Sequence, residues 1–159
     1  MAVDMFLKMT KIEGESRDAK HGKEIDVLAW SWGVSNSGSV HVGGGAGAGK
    51  ANFQDISVTK YVDKASPTLL DHAAKGTHID EVVLTVRKAG GEALEYIIIT
   101  MNECMITSLS TGGSGGEDRL TENISINFAN VKFDYQPQNS KGGKEGGAVT
   151  FKYNIAENK

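Results

Sequence analysis

Apolar residues recur with a period of two along most of the chain, which is the signature of half-buried β-strands and not of helices. Val3, Met5, Leu7 and Met9 alternate with Asp4, Lys8 and Thr10 and predict a first strand. From Ile25 to Val34, the parity sets Leu28, Trp30, Trp32 and Val34 on one face, expected to be buried, and Ala29, Ser31 and Gly33 on the other. Phe53–Val62 predicts a third strand with Ile56, Val58 and Val62 aligned. Val82–Lys88, Tyr96–Thr107, Leu120–Tyr135 and Val149–Ile155 follow as further strands. In Leu120–Tyr135 the parity changes: Leu120, Ile124, Ile126 and Phe128 share one phase, and Val131, Phe133 and Tyr135 the other. Such a switch predicts a bulge near Ala129 or Asn130 that bends the sheet. One helix is expected at about 66–75, with Ser66 as cap, Pro67 in its first turn and Gly76 as its end. Leu69, Leu70, Ala73 and Ala74 would form its buried stripe. Curved sheets of antiparallel strands close into barrels or sandwiches, so the fold class is mainly β.

Composition narrows the picture. At 159 residues, with 39% hydrophobic and 23% charged residues, the chain fits a single domain over residues 1–159. A net charge of -3 argues against nucleic acid as a partner. The longest aliphatic run, Ile97-Ile98-Ile99, is far short of a membrane span, so no membrane insertion is expected. Asp4, Lys8 and Lys11 interrupt the start where a signal peptide needs an apolar stretch. A single cysteine, Cys104, excludes an internal disulfide and suits a reducing cytosol. Twenty glycines against two prolines gather in loops at 43–49, 89–91, 112–116 and 142–147.

Two of those loops imitate catalytic motifs. Gly44 to Lys50 matches a phosphate-binding loop, but Ala51 stands where a magnesium-binding hydroxyl is needed and a strand follows instead of a helix. Gly112-Gly113-Ser114-Gly115-Gly116 matches a nucleophile elbow, yet a strand follows and no histidine occurs after His78. Histidines 21, 41, 72 and 78 lack metal-ligand spacing, and Cys104 lies in an apolar strand as a structural residue. No catalytic set, cofactor site or metal site is therefore expected, and the chain is not expected to be an enzyme. Glu117-Asp118-Arg119 reads equally as a subunit-pairing cluster or as a solvated hairpin tip.

Longer stretches carry a family resemblance. Glu24 to Gly33 (EIDVLAWSWG) resembles the second-strand signature of the haemolysin co-regulated protein (Hcp) family of type VI secretion. Thr59 to Lys64 with Ser66-Pro67, the turn Arg87 to Glu92, Ser110 to Asn123 and Asp134 to Gln138 are similar to the same family, in its order. The resemblance implies a two-sheet antiparallel β-barrel with one flanking helix, like the tail-tube proteins of contractile phages. It further implies a homohexameric ring, stacked rings forming a tube, and sheath, spike and baseplate components as partners. Small effector proteins would ride in the lumen. The protein would be cytoplasmic before firing and then secreted, with no signal peptide. On that view Ser31 and Ala29 face the lumen, unless their side is the ring exterior, since parity sets a face but not its address. Gly43, Gly44, Gly45, Gly47, Gly49 and Lys50 would make ring-stacking contacts, and Glu117, Asp118 and Arg119 subunit contacts. A globule of this length has a radius of gyration of about 15 Å, and six in a ring leave a hole on the order of 40 Å across. The alternative is a monomeric β-barrel binding module or secreted effector.

Overall fold

The computed structural model describes residues 3–38, 49–88 and 93–159. The expected stacking residues Gly43, Gly44, Gly45 and Gly47, with His41 and the turn 89–92, lie outside the described residues. Among the described residues, nine strands and one helix follow in the order β1 (Val3–Met9), β2 (Ile25–Ser31), β3 (Val34–Asn36), β4 (Ala51–Phe53), β5 (Ile56–Tyr61), α1 (Ser66–Lys75), β6 (His78–Lys88), β7 (Leu94–Thr111), β8 (Thr121–Tyr135) and β9 (Val149–Asn154). The main sheet runs β5-β2-β1-β6-β7-β8-β9, every pairing antiparallel, and an additional β5–β8 pairing closes its first six strands into a barrel. β3 and β4 form a separate two-stranded ribbon. The mainly-β barrel with one flanking helix is thus observed, built from one continuous ladder of strands.

The parity change expected at Ala129–Asn130 is present, but its cause differs from a single-strand bulge. Val82, Met101 and Val131 form one buried cross-strand row, and Ile79, Cys104 and Phe128 form the next. Between them, β6, β7 and β8 all change phase together, and the β7 register against both neighbours is the same on either side. Glu103 sits at this level with φ 53° and drops out of both ladders. The three strands therefore share a crease that turns both rows toward one core. True register shifts fall elsewhere, at Leu28 in β2 and at Tyr96 and Thr107 in β7.

The Leu28 bulge corrects the expected face of β2. Ile25 and Val27 are buried ahead of it, and Trp30 and Trp32 pack on the core after it. Leu28 and Val34, expected with the tryptophans, are 39% and 57% exposed: Leu28 is the extra residue that resets the phase, and Val34 lies beyond the end of β2 in the separate β3–β4 ribbon. Val62 is likewise exposed, and its expected place in the core row of β5 is taken by Lys60. The helix begins as expected but not by the expected cap. The Ser66 hydroxyl donates to Glu122 and accepts from the Asp63 amide, so it serves the barrel interior and not the helix amides. Gly76 ends the helix in the left-handed region at φ 65°, as expected. Only Leu69 of the predicted stripe is fully buried; Ala73 is half-buried, and Leu70 and Ala74 face out.

The closing seam carries the most consequential polar group. Lys60 of β5 lies directly opposite Glu122 of β8, and both are fully buried. Lys60 Nζ lies 2.5 Å from Glu122 Oε1 and 3.0 Å from Asp63 Oδ1. Removing one partner of such a pair strands the other charge in the core, at a cost of about 3–5 kcal/mol. Lys60→Met or Glu122→Leu should each lower the melting temperature by on the order of 10 °C. The double variant should recover much of that loss, measured by circular dichroism melts.

Candidate functional site

The outward side of β2, β5, β8 and β7 forms a continuous wall. Across those four strands, Ser31 pairs with Ser57, Ser57 with Ser125, and Ser125 with Ser108. One row along, Ala29 pairs with Thr59, Thr59 with Asn123, and Asn123 with Ser110. The intervening row, Trp30, Val58, Ile124 and Leu109, points inward. Every member of the two outward rows is small and uncharged, and all but one carry a hydroxyl or an amide. Thr59 donates a 2.6 Å bond to Asn123 Oδ1, so the side chains also bond along the wall.

Charge appears only where the wall ends. At one end, Asp55 accepts from Thr107 Oγ1 at 2.7 Å and from Asn127 Nδ2 at 2.8 Å. At the other, the Arg119 guanidinium lies 3.7 Å over the Tyr61 ring, near Asp26. Burial pushes the Asp26 carboxyl above its usual range, against the Ser16 hydroxyl and the Arg119 charge, which act the other way. The β7–β8 turn makes a polar depression of about 350 Å³ lined by Ser110, Asn123, Ser114 and Glu117.

The structure thus brings Ala29 and Ser31 onto one exposed face, as their parity predicts, and extends that face with residues not singled out from sequence. The signal was present as alternation of hydroxyl and aliphatic residues in Ser57-Val58-Thr59, Ser108-Leu109-Ser110 and Asn123-Ile124-Ser125. Gly49 and Lys50 stand instead at the base of the β3–β4 ribbon. There Asn36 Nδ2 donates to the Gly49 carbonyl at 2.8 Å, and a Cβ on Gly49 would lie 2.4 Å from Ser37 Oγ. Lys50 is exposed and leads into β4, so no helix N-terminus follows it. Glu117, Asp118 and Arg119 are exposed in the β7–β8 turn, with Arg119 held at the wall's rim.

Ser114 Oγ accepts from the Gly116 amide in an exposed turn. Cys104 is buried, and burial pushes its thiol up to about 12, so no thiolate forms near neutrality. Among the described residues, no group of three or more His, Cys, Asp or Glu side chains could hold a metal ion.

Comparison with known proteins places this wall in a family. The family model described as "Type VI secretion system effector, Hcp" matches residues 6–135. The chain belongs to the Hcp family of type VI secretion proteins. It is 58% identical to protein hcp1 of Pseudomonas aeruginosa (strain PAO1), over 99% of this chain and 98% of that one. A solved type six secretion system protein superposes with a TM-score of 0.93 at 32% identity, covering 99% of both chains. Hcp1 from Salmonella typhimurium superposes with a TM-score of 0.79 at 34% identity, covering 100% of this chain and 99% of that one. The Hcp family is one of secretion-system proteins without a known catalytic role. No helix among the described residues is long and apolar enough to cross a membrane.

Because the wall faces outward, its residues should be nearly silent in stability. Ser57→Gln should shift the unfolding free energy by no more than about 0.5 kcal/mol. Val58→Ser, the adjacent core position at 1% exposure, should cost about 2–4 kcal/mol. Chemical denaturation of the two variants checks the contrast.

Proposed function

We propose that this chain is the repeating subunit of a type VI secretion tube: a stackable homohexameric ring, itself exported, whose lumen carries small effector proteins. The uncharged wall on β2, β5, β8 and β7 is the observation that carries this reading. A surface along which protein cargo must both rest and pass benefits from weak, exchangeable contacts. Hydroxyl and amide groups supply them, since each hydrogen bond to cargo replaces one to water and nets only about 1 kcal/mol. Fixed charges would hold some cargo tightly and repel the rest. A head-to-tail interface that closes at six gives a ring, and its two free faces permit stacking. Sheath, spike and baseplate components would act on the assembled tube, which needs neither nucleic acid nor membrane insertion. The protein would reside in the cytoplasm until firing.

Native mass spectrometry of the purified protein should show a discrete hexamer, and a monomer at micromolar concentration would overturn the proposal. Ser31→Gln should keep the hexamer and reduce co-purification of a small cognate effector, because the longer side chain stands on the wall without touching the core. Unchanged effector recovery would place cargo on another surface.

The ribbon that ends at Gly49 and Lys50 supports a division of labour between ring and stack. Ordering a glycine-rich loop against a neighbouring ring costs about 1–2 kcal/mol per residue in backbone entropy, which favours weak stacking of isolated rings. Shortening the 42–52 loop should leave hexamers intact and impair tube assembly, scored by electron microscopy and secretion assays. Loss of the hexamer itself would count against the division.

A further inference from the structure

Residues 10–24 form an arm between β1 and β2, closed on itself by backbone bonds from the Gly14 amide to Lys23 O (2.7 Å) and from the Ser16 amide to Glu24 O (2.9 Å). Lys64 anchors it through Glu13 and Glu15, and two further charged ties fasten it to β6 and β7. In the first, Arg87 of β6 grips both carboxylate oxygens of Asp18, at 2.9 and 2.6 Å, and also reaches Asp4 of β1 at 3.1 Å. In the second, His21 places Nδ1 2.8 Å from Glu24 Oε2 and Nε2 2.5 Å from Glu95 Oε1 of β7. The imidazole stacks on Phe6 at 4.5 Å, and Arg87 lies 5.0 Å over that same ring.

Both ring nitrogens of His21 thus face carboxylate oxygens. A neutral imidazole has one N–H and one lone pair, so it can satisfy only one of these carboxylates and turns its lone pair on the other. The observed arrangement requires the imidazolium. Beside it, a cavity of about 370 Å³ runs between the arm and the β7–β8 surface, walled by Lys20 of the arm and by Leu94, Glu95, Tyr96, Asp134 and Lys144.

We propose that His21 makes the 20–24 end of the arm a pH-controlled flap hinged on the Arg87–Asp18 tie, closed while the imidazolium bridges Glu24 and Glu95 and loosened in alkaline surroundings, widening access to the cavity beside Glu95. The other tie does not switch in this range. Its hydrogen bond to Arg87 holds the Asp18 carboxyl well below the usual carboxylate range, and Asp18 in turn raises Arg87 further. For His21, burial opposes the charge, but hydrogen bonds to Glu95 and Glu24 outweigh it and raise the ring above its ordinary value. A group raised in the closed form stabilises closure fully below its free value of about 6.5, and that stabilisation is lost as pH rises through the raised value. Between the two, the opening equilibrium grows by up to about tenfold per pH unit and is flat outside.

Amide hydrogen exchange of the intact protein, corrected for the intrinsic pH dependence of exchange, reads this directly at Lys23 and Glu24, whose amides donate to Ser16 O and His21 O. The expected result is a rise in opening of up to about tenfold per pH unit above about pH 6.5, while core amides such as Leu84 and Ile99 stay protected. His21→Gln should abolish the rise. Glu95→Gln, at a partly exposed position that tolerates change, should move it to lower pH, since the Glu95 hydrogen bond is what raises the ring most. A flat profile in the parent protein, a rise that survives His21→Gln, or one unmoved by Glu95→Gln would overturn the proposal. So would parallel loss of protection at Leu84 and Ile99, which would mark unfolding of the barrel.

Discussion

The barrel exists because β5 closes on β8, and that closure turns on Lys60 meeting Glu122 inside the core. A buried ion pair contributes little net stability, since desolvating both charges offsets their attraction. Its strength lies in what it forbids. Slipping β5 by one residue would turn Ile56, Val58 and Lys60 outward together and leave Glu122 buried without its partner. The same cluster orients the helix. Asp63 takes part in the pair, accepts from the Ala65 amide and donates its own amide to the Ser66 hydroxyl, so the chain enters α1 in a fixed direction. Leu69 then falls on the core, and the Lys64 amide donates to Glu15 of the arm. One pair therefore sets the strand register, the helix and one anchor of the arm.

The crease solves the complementary problem. β8 gives one edge to two partners, with residues 121–126 pairing to β5 and 130–135 to β9. The changeover falls at the crease, where Glu103 on the neighbouring strand has φ 53°. Bending there swings the second half of β8 away from the barrel seam, which frees its edge for β9. The bend also lets Phe128 and Val131, three residues apart, both reach the core.

Much of this was legible in the sequence, and the misses have specific causes. Period-two alternation located the long strands, and the phase change at Ala129–Asn130 marked the right place on β8. It could not reveal that β6 and β7 bend with it, because Ile79 and Cys104 look like ordinary strand residues until they are aligned. The assignment of Leu28 to the core failed because one bulge residue inverts parity without leaving a compositional mark, and that of Val34 because β2 ends at Ser31 and the chain leaves for the β3–β4 ribbon. Lys60 was invisible as a core residue because a lysine is placed inside only when its partners, 62 residues away in the case of Glu122, are known. For the site, Ala29 and Ser31 could be read as a face because both lie on β2. The remainder of the wall comes from strands whose pairing, not whose local pattern, brings Ser57, Ser125 and Ser108 beside them.

That wall and the arm divide the chemistry of the molecule in a way that bears on export. No residue of the two outward rows titrates near neutrality, so contacts made there have the same strength in any compartment and little dependence on salt. Titratable and paired groups lie elsewhere: in the seam, where burial removes them from solvent, and in the arm, where His21 answers to pH. On the proposed function, a subunit that passes from one compartment to another would present cargo with an unchanging surface while a separate element senses the new surroundings. The separation depends on the barrel itself: the wall lies on β2, β5, β8 and the 108–110 end of β7, and the flap is fastened to β6 and to the far, Glu95 end of β7.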